Sequence, residues 1–409
     1  MVFLANEYEH PHSMQFAGEI YQSLNQEQQS EAAVLAEELA KEYGKTALAK
    51  QYYPYISDQV IESQDFDTPA KMLKRGKLIV SSDHLTRGRN QSAVHTAARN
   101  YGVGNGGALS ALKDSIVNPE SGRVEVIYSV RKDGQVENPE VIFSWPKTRF
   151  DKDFITAVIN SKLKVAKRDG EKVAQHGLFQ RINIFYEGVG NLEKGYPHIH
   201  KTLLSLKKRA HENPAIKYQY AMLSRAYGEV FDDTELEAFE PLLFSSAEQG
   251  YSPAMYDYGM FQLYHNDDID KAIYWITKAA KNSYIEAEYR LGKILYHSPS
   301  AYLQEDPNKA RFWLEKAASK NHAKAQQALV ELNYNMDTFD SKFAQQSIDW
   351  LENMDNENFI DPNTYFLLAH AYKTVGQTSK AKRNIKDAIW YGEKNNWDVT
   401  EWIDYQKSI

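Results

Sequence analysis

The run Lys271-Ala272-Ile273-Tyr274-Trp275-Ile276-Thr277-Lys278-Ala279-Ala280 and its copy Lys309-Ala310-Arg311-Phe312-Trp313-Leu314-Glu315-Lys316-Ala317-Ala318 decide the fold of the C-terminal half. Each places Ala, Trp, a branched apolar residue and Ala at i, i+3, i+4 and i+7, one stripe of a helix. A turn and a closing alanine follow, and a related turn precedes the first copy; the closing alanines are Ala254, Ala287 and Ala325. A recurrence at about this period, found before any other pattern is weighed, is the signature of stacked helical hairpins. Weaker copies begin at Asn213-Pro214-Ala215 and Asp361-Pro362-Asn363-Thr364, extending the array over residues 195–395. One hairpin cannot bury its own stripe, but a stack can. The paired alanines, with Gly259 and Gly292, sit where two helices would approach most closely.

These residues resemble Sel1-like repeats, whose pattern is Leu-Gly in the first helix and Lys-Ala…Trp…Lys-Ala-Ala in the second. The last unit resembles a tetratricopeptide repeat through Tyr365, Leu368, Ala369, Tyr372, Ala381 and Ala388. The loop Ser298–Asp306 departs from the pattern by its length.

Upstream, Gly122–Val130 alternates, with Val124, Val126, Tyr128 and Val130 on one face of a strand. Asp133-Gly134 is read as a two-residue hairpin turn, both positions at positive φ. Val136–Ser144 reads as the return strand, with Pro139 marking an edge or bulge. A helix follows, with Asp151 as N-cap, Phe150 stapled onto Ile155, and Phe154, Ala157, Val158 and Ser161 facing inward. Phe179–Glu187 reads as a third strand. This order resembles the C-terminal domain of TonB-family energy transducers over residues 119–188, through Gly122…Val130, Asp133-Gly134, Phe150-Asp151 and Ile182…Phe185. The resemblance implies a small ββαβ domain of a bacterial envelope protein, with periplasmic location. It also implies a strand edge, carrying Phe179, Arg181, Asn183 and Phe185, that accepts an extended peptide by backbone hydrogen bonding. The alternative is an edge covered by the chain's own neighbouring segment.

Residues 1–118 are read as mainly helical. Gln26–Tyr53 is rich in helix formers, with Val34, Leu35, Leu39 and Leu48 as its apolar contacts. A short strand at Lys77–Ser82, a helix at Ala93–Tyr101 and a flexible joint at Gly102–Gly107 complete this part. The whole is an α+β chain in three parts: 1–118, a TonB-like domain at 119–190, and a Sel1/tetratricopeptide solenoid at 195–409.

Composition narrows function by exclusion. The chain of 409 residues has a net charge of −7, so no overall basic balance recruits nucleic acid. It has no cysteine, which removes disulfides, zinc–thiolate sites and cysteine nucleophiles. No apolar window is long enough to span a bilayer, and Met1–Ala5 is too short for the core of a signal peptide. The glycine run lacks a following Lys-Ser or Lys-Thr and is no phosphate loop. His10/His12 and His198/His200 lack a third ligand at metal spacing and read as loop or cap residues. Asp267-Asp268 and Asp232-Asp233-Thr234-Glu235 read as loop and helix-capping residues. Lys162, Lys164, Lys167, Arg168 and Lys172 read either as a solvated helix end or as a surface for an acidic partner or lipid headgroups.

No catalytic residue, cofactor or metal is expected. Partners are expected to be other proteins or extended peptides of the envelope. They would be held by the first-helix face of the array, at Tyr256, Met260, Leu263 and Tyr264 and, one repeat on, at Tyr289, Lys293, Tyr296 and His297. The alternative for these side chains is packing between repeats. Rival readings are an accessory component of a TonB-type transport system and an enzyme with an inter-domain site.

Overall fold

The computed structural model describes residues 11–62, 65–76, 122–145, 147–184, 193, 197–231, 238–354 and 361–409. The expected strand at 77–82, helix at 93–101 and glycine joint at 102–107, together with His10, Asp232–Glu235 and Phe185, lie outside these residues. The described chain is mixed α+β: helices at the N-terminus, a small sheet in the middle, and a long run of antiparallel helices.

The helical array begins with α5 (Pro197–Arg209), α6 (Pro214–Phe231) and α7 (Phe239–Glu248). It continues through α8 (Ser252–Phe261), α9 (Ile269–Lys281), α10 (Ile285–Tyr296) and α11 (Pro307–Ala318). It ends with α12 (Ala323–Asn335), α13 (Ser341–Glu352), α14 (Pro362–Thr374), α15 (Thr378–Lys394) and α16 (Thr400–Lys407). The stripe residues Ala272, Ile276, Ala279, Ala310, Leu314 and Ala317 are fully buried, as are Ala254, Ala287 and Ala325. A β-carbon on Gly292 would lie 2.7 Å from Leu314 Cγ, and one on Gly259 would lie 2.7 Å from Ile276 Cγ1. Both glycines therefore mark the close helix contacts their spacing suggests. The αL residue that ends the second helix is Gly250, Ser283 or Asn321 at equivalent places, with φ of 89°, 62° and 62°.

The small sheet has the order β3-β2-β7 and is antiparallel throughout: β2 is Gly122–Val130, β3 Val136–Trp145 and β7 Gln175–Ile184. Helix α4 (Asp151–Ile159) covers one face, and Val124, Val126, Tyr128 and Val130 pack there on Phe154, Ala157 and Val158. The N-cap is Phe150, and Asp151 is the first helical residue rather than the cap; its carboxylate is buried and makes no side-chain cap bond. Ser161 lies past the helix and donates its hydroxyl to Ala157 O.

The Asp133-Gly134 turn is also corrected. Only Gly134 has positive φ, and Arg131 N donates to Gln135 O, which makes a three-residue loop. The two-residue turn with both positions at positive φ is instead Asp169-Gly170, joining β5 (Ala166–Arg168) to β6 (Glu171–Val173). The basic stretch is thus not a helix end. The helix stops at Ile159, and β4 (Lys162–Lys164) pairs with β1 (Lys71–Lys74) from the N-terminal region.

That region is helical over α1 (Pro11–Ser23), α2 (Gln26–Tyr43) and α3 (Lys45–Tyr52), with Gly44 dividing the expected single helix. Val34 and Leu35 are 61% and 56% exposed, so they are not the helix's core contacts; Ala36 is buried instead. Residues 53–61 then run against the long inter-helix loop of the array. Ser57 N donates to Tyr302 O, Ile61 N to Ala301 O, and Gln304 N to Tyr55 O, while Trp313 Nε1 donates to Tyr52 O.

Candidate functional site: the repeat groove and the sheet it holds

All nine residues of β2 are buried, on both faces. The second face carries Arg123, Glu125, Ile127 and Ser129, and it lies on the helical array. Glu125 accepts from Arg225 of α6 at 2.5 Å, forms an ion pair with Arg123 at 2.8 Å, and lies 3.1 Å from His265 Nε2. Burial pushes the Glu125 carboxyl up, but Arg225, His265 and Arg123 outweigh it and hold it down at about 2. The guanidinium of Arg225 also lies over the ring of Phe143, 4.3 Å from its centroid.

Strand β3 crosses the array from α6 toward α16. At one end the indole N–H of Trp145 donates to the Tyr227 hydroxyl, with the two rings edge-on. Midway, Glu140 accepts from Arg290 of α10 at 2.7 Å and from the Tyr289 hydroxyl at 3.2 Å, with Lys324 of α12 at 3.5 Å. Burial acts to raise the Glu140 carboxyl, but Arg290 and Lys324 hold it down at about 2. At the far end Trp397 Nε1 donates to Val136 O at 3.2 Å, and the Arg131 guanidinium covers the Trp397 ring at 4.4 Å. Asp398 N donates to Asp133 Oδ2 at 2.9 Å beside it.

Four of the eight positions read as a partner-binding groove meet the sheet on this surface, and the other four pack within the array. Tyr264 stacks with Phe179 of β7 at 5.7 Å, Tyr289 bonds Glu140, and His297 stacks on His176 of β7 at 4.0 Å. Lys293 lines the same interface. Tyr256 contacts Tyr284 at 5.6 Å. Met260 and Leu263 are buried, and the Tyr296 hydroxyl accepts from Asn335. Tyr264, Tyr289, Lys293 and His297 thus face the chain's own sheet.

The strand-edge residues divide. Phe179, Arg181 and Asn183 lie opposite Ile127, Glu125 and Arg123, on the side of the sheet that faces the array. Phe179 also meets His265 edge-on at 4.9 Å. Arg181 is exposed, and Asn183 Oδ1 is buried with no hydrogen-bond partner among the described residues.

Between sheet and array lies a cavity of about 400 Å³, lined by Ile127, Asn138, His176, Lys293, Gln327 and Glu331 among others. Glu331 and Asp361 are among its lining residues, and Glu137 lies within their electrostatic reach. Burial raises Glu137 to about 7 against the pull of Arg131, with Glu331 and Asp361 adding to the rise. Asp361 is likewise raised by burial, to about 6. Glu331 is held at about 2: burial opposes this, but the bond to His297 and the charge on Lys293 prevail. Among the described residues no group of three or more His, Asp or Glu is placed to hold a metal ion. His198 and His200 begin α5, the first exposed and the second buried, so they do not share a face. Asp268 caps α9 by accepting from Lys271 N at 3.1 Å.

The alternation of Arg123 and Glu125 between valines was the signal for the second buried face, since opposite charges two apart on a strand point the same way. The length of the 298–306 loop was another. It supports residues 55–61 on one side and abuts β7 on the other, where a β-carbon on Gly177 would fall 2.3 Å from Pro299 Cβ.

Family comparisons agree with both resemblances. Residues 114–183 match the model for the Gram-negative bacterial TonB protein C-terminal, and residues 252–284 and 285–322 match the Sel1 repeat. Among curated proteins no relative matches the chain. Solved structures that resemble it include c5321, a protective antigen of uropathogenic Escherichia coli with an SLR fold, at 22% identity and a TM-score of 0.33. That match covers 51% of this chain and 44% of the other. A Sel1 repeat protein from Oxalobacter formigenes matches at 18% identity over 49% of this chain and 85% of the other, TM-score 0.34. BtubC from P. vanneervenii matches at 16% identity over 50% and 92%, TM-score 0.33. The chain contains a TonB C-terminal-type domain and Sel1 repeats, and among the described residues no helix is long and apolar enough to cross a membrane.

Proposed function

We propose that this chain is a non-enzymatic interaction adaptor of the bacterial envelope, periplasmic in location, whose repeat groove is seated on its own TonB-type sheet. The observation that carries this reading is the path of β3: Trp145, Glu140 and Val136 engage Tyr227, Arg290 and Trp397 in turn. Repeat arrays of this kind are protein-binding surfaces, and here Tyr264, Tyr289, Lys293 and His297 serve that role toward an internal partner, while Tyr256, Met260, Leu263 and Tyr296 pack within the array. External partners then meet a composite surface, and the peptide-accepting element is the β7 side, where Arg181 remains exposed. Glu125 and Glu140 are held as ion-paired carboxylates, which suits them to binding rather than to proton transfer.

Photo-crosslinking in cells tests this. A photoreactive residue at Arg181 should capture other envelope proteins, while one at Lys293 should link only within the chain. Equal capture of other proteins from Lys293 would sink the reading.

A further inference from the structure

The two short ribbons beside the sheet concentrate positive charge in an acidic protein. Residues 71–75 and 162–172 hold eight cations and two acids, within a chain of net charge −7. Their pairing is unusual. Lys71 lies opposite Lys164, Lys74 opposite Lys162, and Lys167 opposite Lys172. Like charges directly opposite across strands repel and destabilise the pair. All six lysines are exposed, and among the described residues none has an acidic partner.

On the β1–β4 ribbon the geometry brings the charges out together. Lys162 and Lys164 share a face, being two apart. Lys71 and Lys74 are three apart and would ordinarily point to opposite faces. The register shift between Met72 and Lys74 restores them to one side. Met72 and Leu163 turn the other way, onto the small domain's core. Leu73, the extra residue, is left 56% exposed among the lysines.

We propose that the β1–β4 ribbon is a docking surface for an anionic phospholipid membrane. Three features favour a lipid surface over an acidic protein. The cations in the opposed pairs are all lysines, compact point charges suited to a diffuse field rather than to paired recognition of one carboxylate. They lie on short two-stranded ribbons rather than in a concave pocket. An exposed leucine sits among them, the combination of basic and apolar groups that interfacial segments present. The inference is independent of what the repeat groove holds.

The test is co-sedimentation of the full chain with vesicles of phosphatidylglycerol in phosphatidylcholine, against phosphatidylcholine alone. The chain is expected to partition onto the phosphatidylglycerol vesicles and to be released by raised salt. Each lysine near such a surface contributes roughly fivefold to partitioning, so K71Q/K164Q should bind roughly 25-fold more weakly. K71R/K164R keeps the charge and should retain binding. Folding is followed by thermal melting, where K71Q/K164Q, relieved of cross-strand repulsion, should melt no lower than the parent. Equal partitioning onto both vesicle types, or unchanged binding by K71Q/K164Q, overturns the proposal. Binding to polyglutamate with no partitioning onto phosphatidylglycerol vesicles would also overturn it, and would assign the ribbon to an acidic protein.

Discussion

Gly177 of β7 and Pro299 of the long inter-helix loop meet backbone to ring, with Gly177 at φ 69°. The contact joins the small sheet to the repeat array at a point with no room for a side chain. Gly177→Val adds both a left-handed strain and an overlap with Pro299. A loss of about 3 kcal/mol is expected, measured by urea denaturation of the whole chain. A loss below that of an ordinary surface substitution would show that the loop yields freely.

Glu125 lies between Arg123 and Arg225 and pairs with both. Glu125→Gln leaves two guanidinium groups buried beside a neutral amide. Breaking a buried pair by removing one partner costs about 3–5 kcal/mol. The same bonds set an acid limit. The carboxyl's folded pKa, about 2, lies below its ordinary 4.5. Its contribution is therefore full above 4.5 and is lost as pH falls toward 2. Chemical denaturation of wild type and Glu125→Gln across this range should show the two curves converging in acid.

Glu137 and Asp361 act with the opposite sign. Their folded pKa values, about 7 and about 6, lie above the ordinary 4.5 and 3.8. The folded state therefore binds protons that the unfolded chain has released, and stability falls as pH rises from about 4 through 7. Glu137→Gln should flatten this slope and raise the melting temperature at pH 8. A steeper slope in the variant would contradict the assignment.

Trp313 is buried in the repeat stripe, and its indole N–H donates to Tyr52 O at 2.7 Å. Trp313→Phe keeps much of the ring but leaves that carbonyl without this donor. About 1 kcal/mol should be lost, within the usual net value of one hydrogen bond. Limited proteolysis should also cut residues 53–62 faster, since this bond helps pin the segment to the array.

The helical array was legible because its signal is local and repeated: the Trp275 and Trp313 stripes and the paired alanines each describe one hairpin, and copies reinforce one another. The valine face of β2 was legible for the same reason. What could not be read is contact across a hundred residues or more. Nothing near Glu140 marks Arg290 as its partner, and the groove residues keep the same spacing whether they hold an outside protein or the chain's own strand. Turn chemistry failed differently. Two Asp-Gly pairs satisfy the same rule, and only the flanking pairing decides that Asp169-Gly170, not Asp133-Gly134, is the tight one. Val34 and Leu35 carry an apolar reading on a helix that leaves them exposed, because a stripe says which face is apolar but not whether anything covers it.

Strand β3 has ten residues, and its two ends and its middle are each bonded to a different part of the array. Extended chain advances about 3.3 Å per residue, so the strand works as a measuring rod laid beside the repeats. A free-standing solenoid gains or loses a unit with little consequence for its neighbours. Here one hairpin inserted between α6 and α10 would slide Arg290 out of reach of Glu140 while Tyr227 stayed in place. The number of repeats in this stretch is thus tied to the length of a strand encoded elsewhere, and neither can drift without the other.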